Sequence, residues 1–359
     1  MNCLSASKKW LDFINENFKD VRQPFSAGIE LHPDCNFRCV HCYIESDRQQ
    51  KSKRRQLSVS DFKHIIDELE KRNCIELFFT GGEALLYPGF EEIYIYAKRK
   101  GILVSVLTNG SLIDDSHIRL WLKYPPELIS ITLYGATEAS YLNVTCNKNG
   151  FNNVLRSIDK LQKNKIPFEI KCIGMEQNKN DVLKIREISR TLGQRNTTLA
   201  WDIRPMNDGN AKPITCRLSA QEAFAIELQD SERKYFYASL KDNPIRHQPT
   251  QRQKEGFLYP CSIAYQFVYI TSDGYMQGCV KAVNPRYDLL NGNFDEGWEF
   301  LGTEFVYKKA SAAFPCTRCD KFRYCGQCTA AFVDENKNPE EPVRFYCELG
   351  ELRKKYMDS

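Results

Sequence analysis

From residue 26 to about 204, short apolar runs alternate with longer amphipathic ones. The strand-like runs are SAGIEL (26–31), CIELFFT (74–80), ILVSVLT (102–108), LISITLY (128–134), FEIKCIG (168–174) and TLAWDIR (198–204). Between several of them the apolar period lengthens to that of a helix. In LSVSDFKHIIDELEKRN, Phe62, Ile65, Ile66 and Leu69 recur on one face, and Ser58 is placed to cap the first turn. FEEIYIYAKRKG predicts a second helix that stops at Gly101, a residue suited to follow a C-cap. Further helices are expected around 150–163 and 180–192. Repeated strand–helix units predict a parallel sheet covered by helices. Six units are too few for a closed eight-stranded barrel, and on pattern alone a partial (β/α)6 barrel and an open doubly wound sheet both fit.

After residue 204 the alternation stops. The stretch 205–256 is polar, holds several prolines and one helical segment, SAQEAFAIEL, and reads as a bridge. Beyond it lies a cysteine-rich region with few long apolar runs, a composition that calls for covalent or metal staples. The expected organisation is an N-terminal extension (1–25), an α/β core (26–204), the bridge (205–256) and a small C-terminal domain (257–359).

Composition changes this picture at one point. The chain of 359 residues, 42% hydrophobic and 27% charged, is ordinary for a globular protein, and a net charge of +4 predicts neither a nucleic-acid nor a membrane partner. The start, MNCLSASKKWLDFINENF, has no long apolar run, so neither a signal peptide nor a membrane helix is expected and the cytoplasm is the expected compartment. Thiols stay reduced there, and 15 cysteines then point to metal ligation rather than disulfides. Three stand together as Cys35, Cys39 and Cys42, and seven follow residue 260. Cys74 and Cys172 lie in apolar runs and read as core.

In parallel α/β architectures, chemistry collects where strands end. Cys35, Cys39 and Cys42 follow the first strand, Thr80-Gly81-Gly82-Glu83 the second and Thr108-Asn109-Gly110 the third. Paired glycines let a backbone approach a ligand closely. Taken alone, the three thiols also suit a zinc or iron site completed by another cysteine.

With these motifs in this order, the chain resembles the radical S-adenosylmethionine (SAM) superfamily, whose members carry C-x3-C-x-aromatic-C after the first strand. His41 takes the aromatic slot. The resemblance implies a partial (β/α)6 TIM-like barrel and a 4Fe–4S cluster on Cys35, Cys39 and Cys42. One iron is left open for the amino and carboxylate groups of SAM, which is cleaved to a 5′-deoxyadenosyl radical. It implies that Gly81, Gly82 and Glu83 contact the SAM amino group. By position, Asn109, Ser130 and Thr132 offer polar contacts, and Ile173 and Gly174 flank the adenine. Where many relatives place an arginine for the SAM carboxylate, this chain has Asn143, which offers a hydrogen bond and no charge.

The later cysteines run Cys261-x12-Gly274-x4-Cys279, then Cys316-x2-Cys319-x5-Cys325-x2-Cys328, then Cys347. Alone this is also zinc-ribbon spacing. After a radical SAM core it resembles the SPASM extension, with x2 where that pattern has x3 in the last pair. That resemblance implies two auxiliary 4Fe–4S clusters, three clusters in all. The outer one is held by Cys316, Cys319, Cys325 and Cys347, and the inner one by Cys261, Cys279 and Cys328. The inner cluster lacks a fourth motif ligand, for which Cys216, His247, Glu255 or a substrate group are the candidates.

The implied function is radical modification of a ribosomally made peptide or protein: a thioether or carbon–carbon cross-link, a dehydrogenation or an epimerisation. The alternatives are a small-molecule or cofactor-precursor enzyme of the same superfamily, a sulfatase maturase, and, from another class, a non-catalytic zinc or iron–sulfur protein. Sulfatase-maturing relatives carry an aspartate directly after the second SPASM cysteine, whereas Val280 and Lys281 follow Cys279. Only 34 residues precede Cys35, too few for a leader-binding domain, so a peptide substrate is expected to need a separate leader-recognition protein or to be bound by the core itself, with flavodoxin or ferredoxin as electron donor. The basic run KSKRR (51–55) reads as a solvated surface or an attractor of acidic peptide. Tyr43, Tyr134, Tyr265 and Tyr269 read as packing residues or radical relays.

Overall fold

The computed structural model describes residues 13, 17, 18, 20–44, 55–192, 198–242, 251–322, 324–326 and 328–359. Its strands are β1 (Ser26–His32), β2 (Glu76–Gly81), β3 (Leu103–Thr108), β4 (Leu128–Thr132), β5 (Phe168–Ile173), β6 (Thr198–Ala200), β7 (Phe267–Ile270), β8 (Tyr275–Gln277) and β9 (Tyr287–Asp288). They form one sheet in the order β6-β5-β4-β3-β2-β1-β7-β8-β9. The first six strands are parallel, and their order runs outward from β1 without reversal. A doubly wound sheet reverses its order at a switch point. The chain therefore forms the arc of a partial barrel.

Alternation along the strands separates an apolar face from a polar one. Ala27, Ile29 and Leu31 of β1, Ile129 and Ile131 of β4, and Phe168, Ile170 and Cys172 of β5 are buried in the core. The intervening positions are Gly28, Glu30 and His32, then Ser130 and Thr132, then Glu169 and Lys171. On that face Ser130 Oγ donates to Glu169 Oε1 at 2.8 Å, and Lys171 pairs with the same oxygen at 3.2 Å.

The expected helices form at Val59–Lys71, Phe90–Arg99, Gly150–Lys163 and Val182–Thr191. Ser58 caps the first in a reciprocal box with Asp61, and Gly101, with φ +82°, follows the second. Two further helices, Asp115–Lys123 and Glu138–Thr145, were not expected, although Asp114 and Thr137 both cap them through side-chain oxygens. The bridge also holds more helix than expected: Ser231–Asp242 and a short turn at Gln251–Lys254 join Ala220–Glu227. The sixth strand is shorter than predicted, ending at Ala200.

The expected boundary at residue 257 is crossed by the sheet. β7 lies parallel to β1, from Ser26 opposite Phe267 to Ile29 opposite Ile270, and one apolar cluster runs from Ala27 to Leu349. The C-terminal residues are few in apolar runs, yet Val268, Ile270 and Met276 are fully buried because they complete the core of the barrel itself. No helix of the described residues is long and apolar enough to cross a membrane.

A buried carboxylate fastens the C-terminal helix Arg344–Asp358 to this body. Glu227 accepts from Trp201 Nε1 at 2.8 Å, from Arg353 Nε at 2.9 Å and from the Tyr237 hydroxyl. Burial pushes its carboxyl up, but the Arg353 guanidinium outweighs burial and holds it below the ordinary carboxylate value. Removing one member of such a pair strands the other charge. Glu227→Ala is expected to cost about 3–5 kcal/mol. Because the folded pKa is depressed, this contribution is present at neutral pH and is lost as pH falls below the ordinary carboxylate range. Thermal melts from pH 7 down to pH 3 check this: the wild-type should lose its advantage over the variant on acidification, and a constant gap would contradict the assignment.

Candidate active site

The triad loop is anchored by its neighbours. Phe37, 3% exposed, meets the Tyr141 ring edge-on at 6.1 Å. Arg38 N and Val40 N donate to Thr145 O and Val144 O, both at 2.9 Å, so the loop is stitched to the end of helix Glu138–Thr145. Cys35, Cys39 and Cys42 lie close enough that their charges repel one another. Burial pushes the Cys35 thiol up to about 11 and Cys39 well above its ordinary value, so both are neutral until a metal displaces the proton. His41 is buried beside Tyr134, ring centroids 5.0 Å apart, and burial depresses it to about 4. Cys146, which no motif marked, also weighs on Cys39.

The glycine pair serves the protein's own backbone. A Cβ on Gly81 would stand 2.3 Å from the His32 carbonyl oxygen, and one on Gly82 would stand 2.4 Å from that of Asp34. Gly82 N donates to His32 O and Glu83 N to Asp34 O, each at 2.8 Å. The segment that leads into Cys35 therefore crosses directly over the end of β2. The sequence reading gave this closeness to a ligand; the structure gives it to residues 32–34.

Glu83 is 1% exposed and points inward. Its Oε1 accepts from Thr108 Oγ1 at 2.6 Å and Leu85 N at 3.1 Å, and its Oε2 accepts from Asn109 N at 2.7 Å. Burial raises its pKa against these donors. The expected side-chain contact to a SAM amino group meets a carboxylate already engaged on both oxygens, which braces β2 to β3. Asn109 is likewise turned to the protein: its Nδ2 lies 3.6 Å from Cys35 Sγ and 2.7 Å from Asn36 Oδ1. Asn36 and Ser111, which close this polar ring, carried no motif in the sequence.

Of the remaining predicted contacts, Ser130 and Thr132 lie on the polar inner face. Glu169 and Lys171 belong to no motif, but strand alternation places both on that face as well. Gly174 is covered: a Cβ there would stand 2.1 Å from the Trp201 ring, so the glycine makes room for indole rather than for adenine. Asn143 is exposed on its helix.

The seven later cysteines fall into two groups. Burial pushes the Cys279 thiol up to about 12, with Cys261 and Cys328 adding to the rise, and burial and then Cys328 raise Cys261. Cys316, also pushed up to about 12 by burial, feels Cys347, Cys325 and Cys319. The shortened last pair leaves Cys328 with the first group and Cys325 with the second. Among the described residues no three His, Cys, Asp or Glu side chains close on one metal-ion position; the thiols of each group neighbour one another without converging on a single ion.

Cys216 packs with Val144, Met175 and Ile203, against Val40 and Tyr134, behind the triad loop rather than beside the inner group. Glu255 is exposed and accepts from Gln251 Nε2 at 2.7 Å. His247 lies outside the described residues, as does KSKRR except Arg55, which pairs with Asp288 at 2.9 Å.

Arg204 links the two ends of the site. Its guanidinium stacks over Tyr43 at 4.1 Å, pairs with Asp334 at 2.9 Å and donates to Val280 O at 3.0 Å. Tyr43 follows Cys42, Val280 follows Cys279, and Asp334 sits on the helix that Cys328 begins. Beside it opens a cavity of about 230 Å³, walled by Glu30, Tyr43, Tyr269, Ser272, Val280 and Arg286 among others. Tyr265 stands away from it, against Arg252.

Residues 29–188 match the Radical SAM superfamily. This chain carries a radical SAM domain. It is 24% identical over 324 residues to the antilisterial bacteriocin subtilosin biosynthesis protein AlbA of Bacillus subtilis, an alignment covering 88% of this chain and 69% of AlbA. It is 29% identical over 170 residues to an AdoMet-dependent heme synthase of Methanosarcina barkeri, covering 47% of this chain and 48% of that protein. The fold matches Streptococcus suis SuiB bound to S-adenosylmethionine with a TM-score of 0.68 at 14% identity, over 93% of this chain and 79% of SuiB. The match to SuiB thus extends past the radical SAM domain into the cysteine-rich region.

The crossing at Gly82 yields a direct prediction. Gly82→Ala must push residues 33 and 34 away, and such overpacking costs about 1–3 kcal/mol. Iron uptake by the triad is expected to fall with it, whereas Gly101→Ala, with open space around its Cα, should leave iron uptake unchanged. Iron analysis of both variants after anaerobic reconstitution checks this, and equal loading would contradict it.

Proposed function

We propose that this chain modifies a ribosomally made peptide or protein by radical chemistry, forming a cross-link, a dehydrogenated residue or an epimer. The observation that carries the reading is the cavity between the triad loop and the Cys279 loop. A substrate side chain in this cavity would lie between the loop of Cys35, Cys39 and Cys42 and the loop of Cys279. Support comes from the relatives: AlbA is named for bacteriocin biosynthesis, and SuiB has been crystallised bound to the precursor peptide SuiA.

Cys35, Cys39 and Cys42 would hold a 4Fe–4S cluster, which with SAM would supply the radical hydrogen-abstraction chemistry. The rest falls to the chain. Phe37 and the Gly81–Gly82 crossing hold the three thiols in register. Ser130, Thr132 and Lys171 line the inner face and offer SAM polar contacts, Lys171 supplying a cation that Asn143 lacks. Tyr43 and Tyr269 wall the cavity and keep water from the reacting carbon. Cys261, Cys279 and Cys328 would hold an inner auxiliary cluster, and Cys316, Cys319, Cys325 and Cys347 would hold an outer one. A flavodoxin or ferredoxin delivers the electron, and a separate leader-recognition protein presents the peptide. Val280 and Lys281 follow Cys279 where sulfatase maturases have their aspartate, and Lys281 is ion-paired to Asp202.

A small-molecule substrate is the second reading, favoured by the identity to the heme synthase. Anaerobic reconstitution should load about twelve irons per chain. Reduction in the presence of SAM should release 5′-deoxyadenosine, and peptides encoded beside the gene should lose a hydrogen pair or take up solvent deuterium by mass spectrometry. Tightly bound zinc with no SAM cleavage would overturn the reading; SAM cleavage with porphyrin precursors modified and peptides untouched would favour the second.

A further inference from the structure

The carboxamide of Asn109 has every donor and acceptor committed. Its Oδ1 accepts from Ser111 N at 2.9 Å and Ser111 Oγ at 2.7 Å. Its Nδ2 donates to Asn36 Oδ1 at 2.7 Å and faces Cys35 Sγ at 3.6 Å. A primary amide offers two N–H donors and one carbonyl oxygen, and all are used here. The orientation is fixed by chemistry. Flipped, the amide would set its oxygen against Asn36 Oδ1 and the sulfur, and its N–H groups against the Ser111 N–H. Asn36 is held in turn, its Nδ2 donating to Ser111 Oγ at 2.8 Å, and the main chain at Asn109 is pinned by Glu83. Phe37 N supplies a second donor to the same sulfur at 3.3 Å.

We propose that Asn109 is a positioning and tuning residue for the iron–sulfur site, donating an N–H···S hydrogen bond to the Cys35 thiolate, and is not a SAM contact. This rests on the triad holding a 4Fe–4S cluster. Hydrogen bonds to cluster sulfurs draw off electron density and stabilise the reduced, more negative state, so they raise the reduction potential. Cys35 Sγ thus faces two N–H donors, and the one from Asn109 comes from the end of β3, two strands away from β1.

The test uses the reconstituted full-length protein and two variants. Asn109→Asp keeps the shape and the bonds from Ser111 but replaces the N–H donor with an oxygen. It also adds a negative charge, which lowers the potential by itself, so Ser111→Ala, which adds no charge, is the deciding variant. Ser111→Ala keeps Asn109 and the Ser111 N bond but removes one of the two donors to its Oδ1 and the hydroxyl that holds Asn36. The potential is read by EPR-monitored redox titration of the signal that responds to SAM, and SAM affinity by equilibrium dialysis on the same samples. The potential should fall in Asn109→Asp and, by less, in Ser111→Ala, with SAM affinity unchanged. Unchanged potentials would overturn the proposal. So would a loss of SAM affinity of about tenfold or more, the size expected of a deleted hydrogen bond to a charged group, without a shift in potential. Should Asn109→Asp take up no iron, Ser111→Ala decides by the same criteria. A wild-type protein with no SAM-responsive signal would instead sink the parent reading.

Discussion

Residues 32–34 cross the end of β2 at a distance only glycine tolerates, and the buried carboxylate of Glu83 locks that crossing to the end of β3. Everything catalytic hangs from this junction. Glu83 N holds Asp34, its side chain holds Thr108 and Asn109, and Asn109 holds the sulfur of Cys35. The Glu83 oxygens are met by Thr108 Oγ1, Leu85 N and Asn109 N. That arrangement is rigid because each donor removed leaves a buried charge short of a partner. The three thiols thus stand on a loop that cannot drift relative to the sheet.

The second constraint joins the triad to the inner cysteine group. β7 continues the sheet beside β1, so the hairpin leading to Cys279 is fixed by the same hydrogen-bond ladder that fixes the strand leading to Cys35. Arg204 then spans the gap with one planar side chain that stacks, pairs and donates at once, a combination lysine lacks. The cavity between the triad loop and the Cys279 loop is therefore framed by the sheet and by the span of Arg204.

What was legible in the sequence was local. C-x3-C-x2-C, TGGE and LTNG are contiguous, and the strands before them show apolar patterns, so their place at strand ends followed. The roles of single atoms did not. GGE reads as a ligand contact because nothing in the sequence reveals that residues 32–34 pass over it. Gly174 reads as open for the same reason, since Trp201 lies beyond another strand. The parallel pairing of β7 with β1 joins residues some 240 positions apart, and no local pattern announces it. Ser111 is an ordinary turn residue until Asn109 is seen to need two donors.

The central claim is that the triad leaves one coordination position for SAM. Mössbauer spectroscopy of the protein reconstituted with ⁵⁷Fe, recorded with and without SAM, tests it directly. A subset of the iron should change its spectrum on adding SAM, and that subset should be missing when Cys35, Cys39 and Cys42 are replaced by alanine. Iron spectra indifferent to SAM in the wild-type protein would contradict the account.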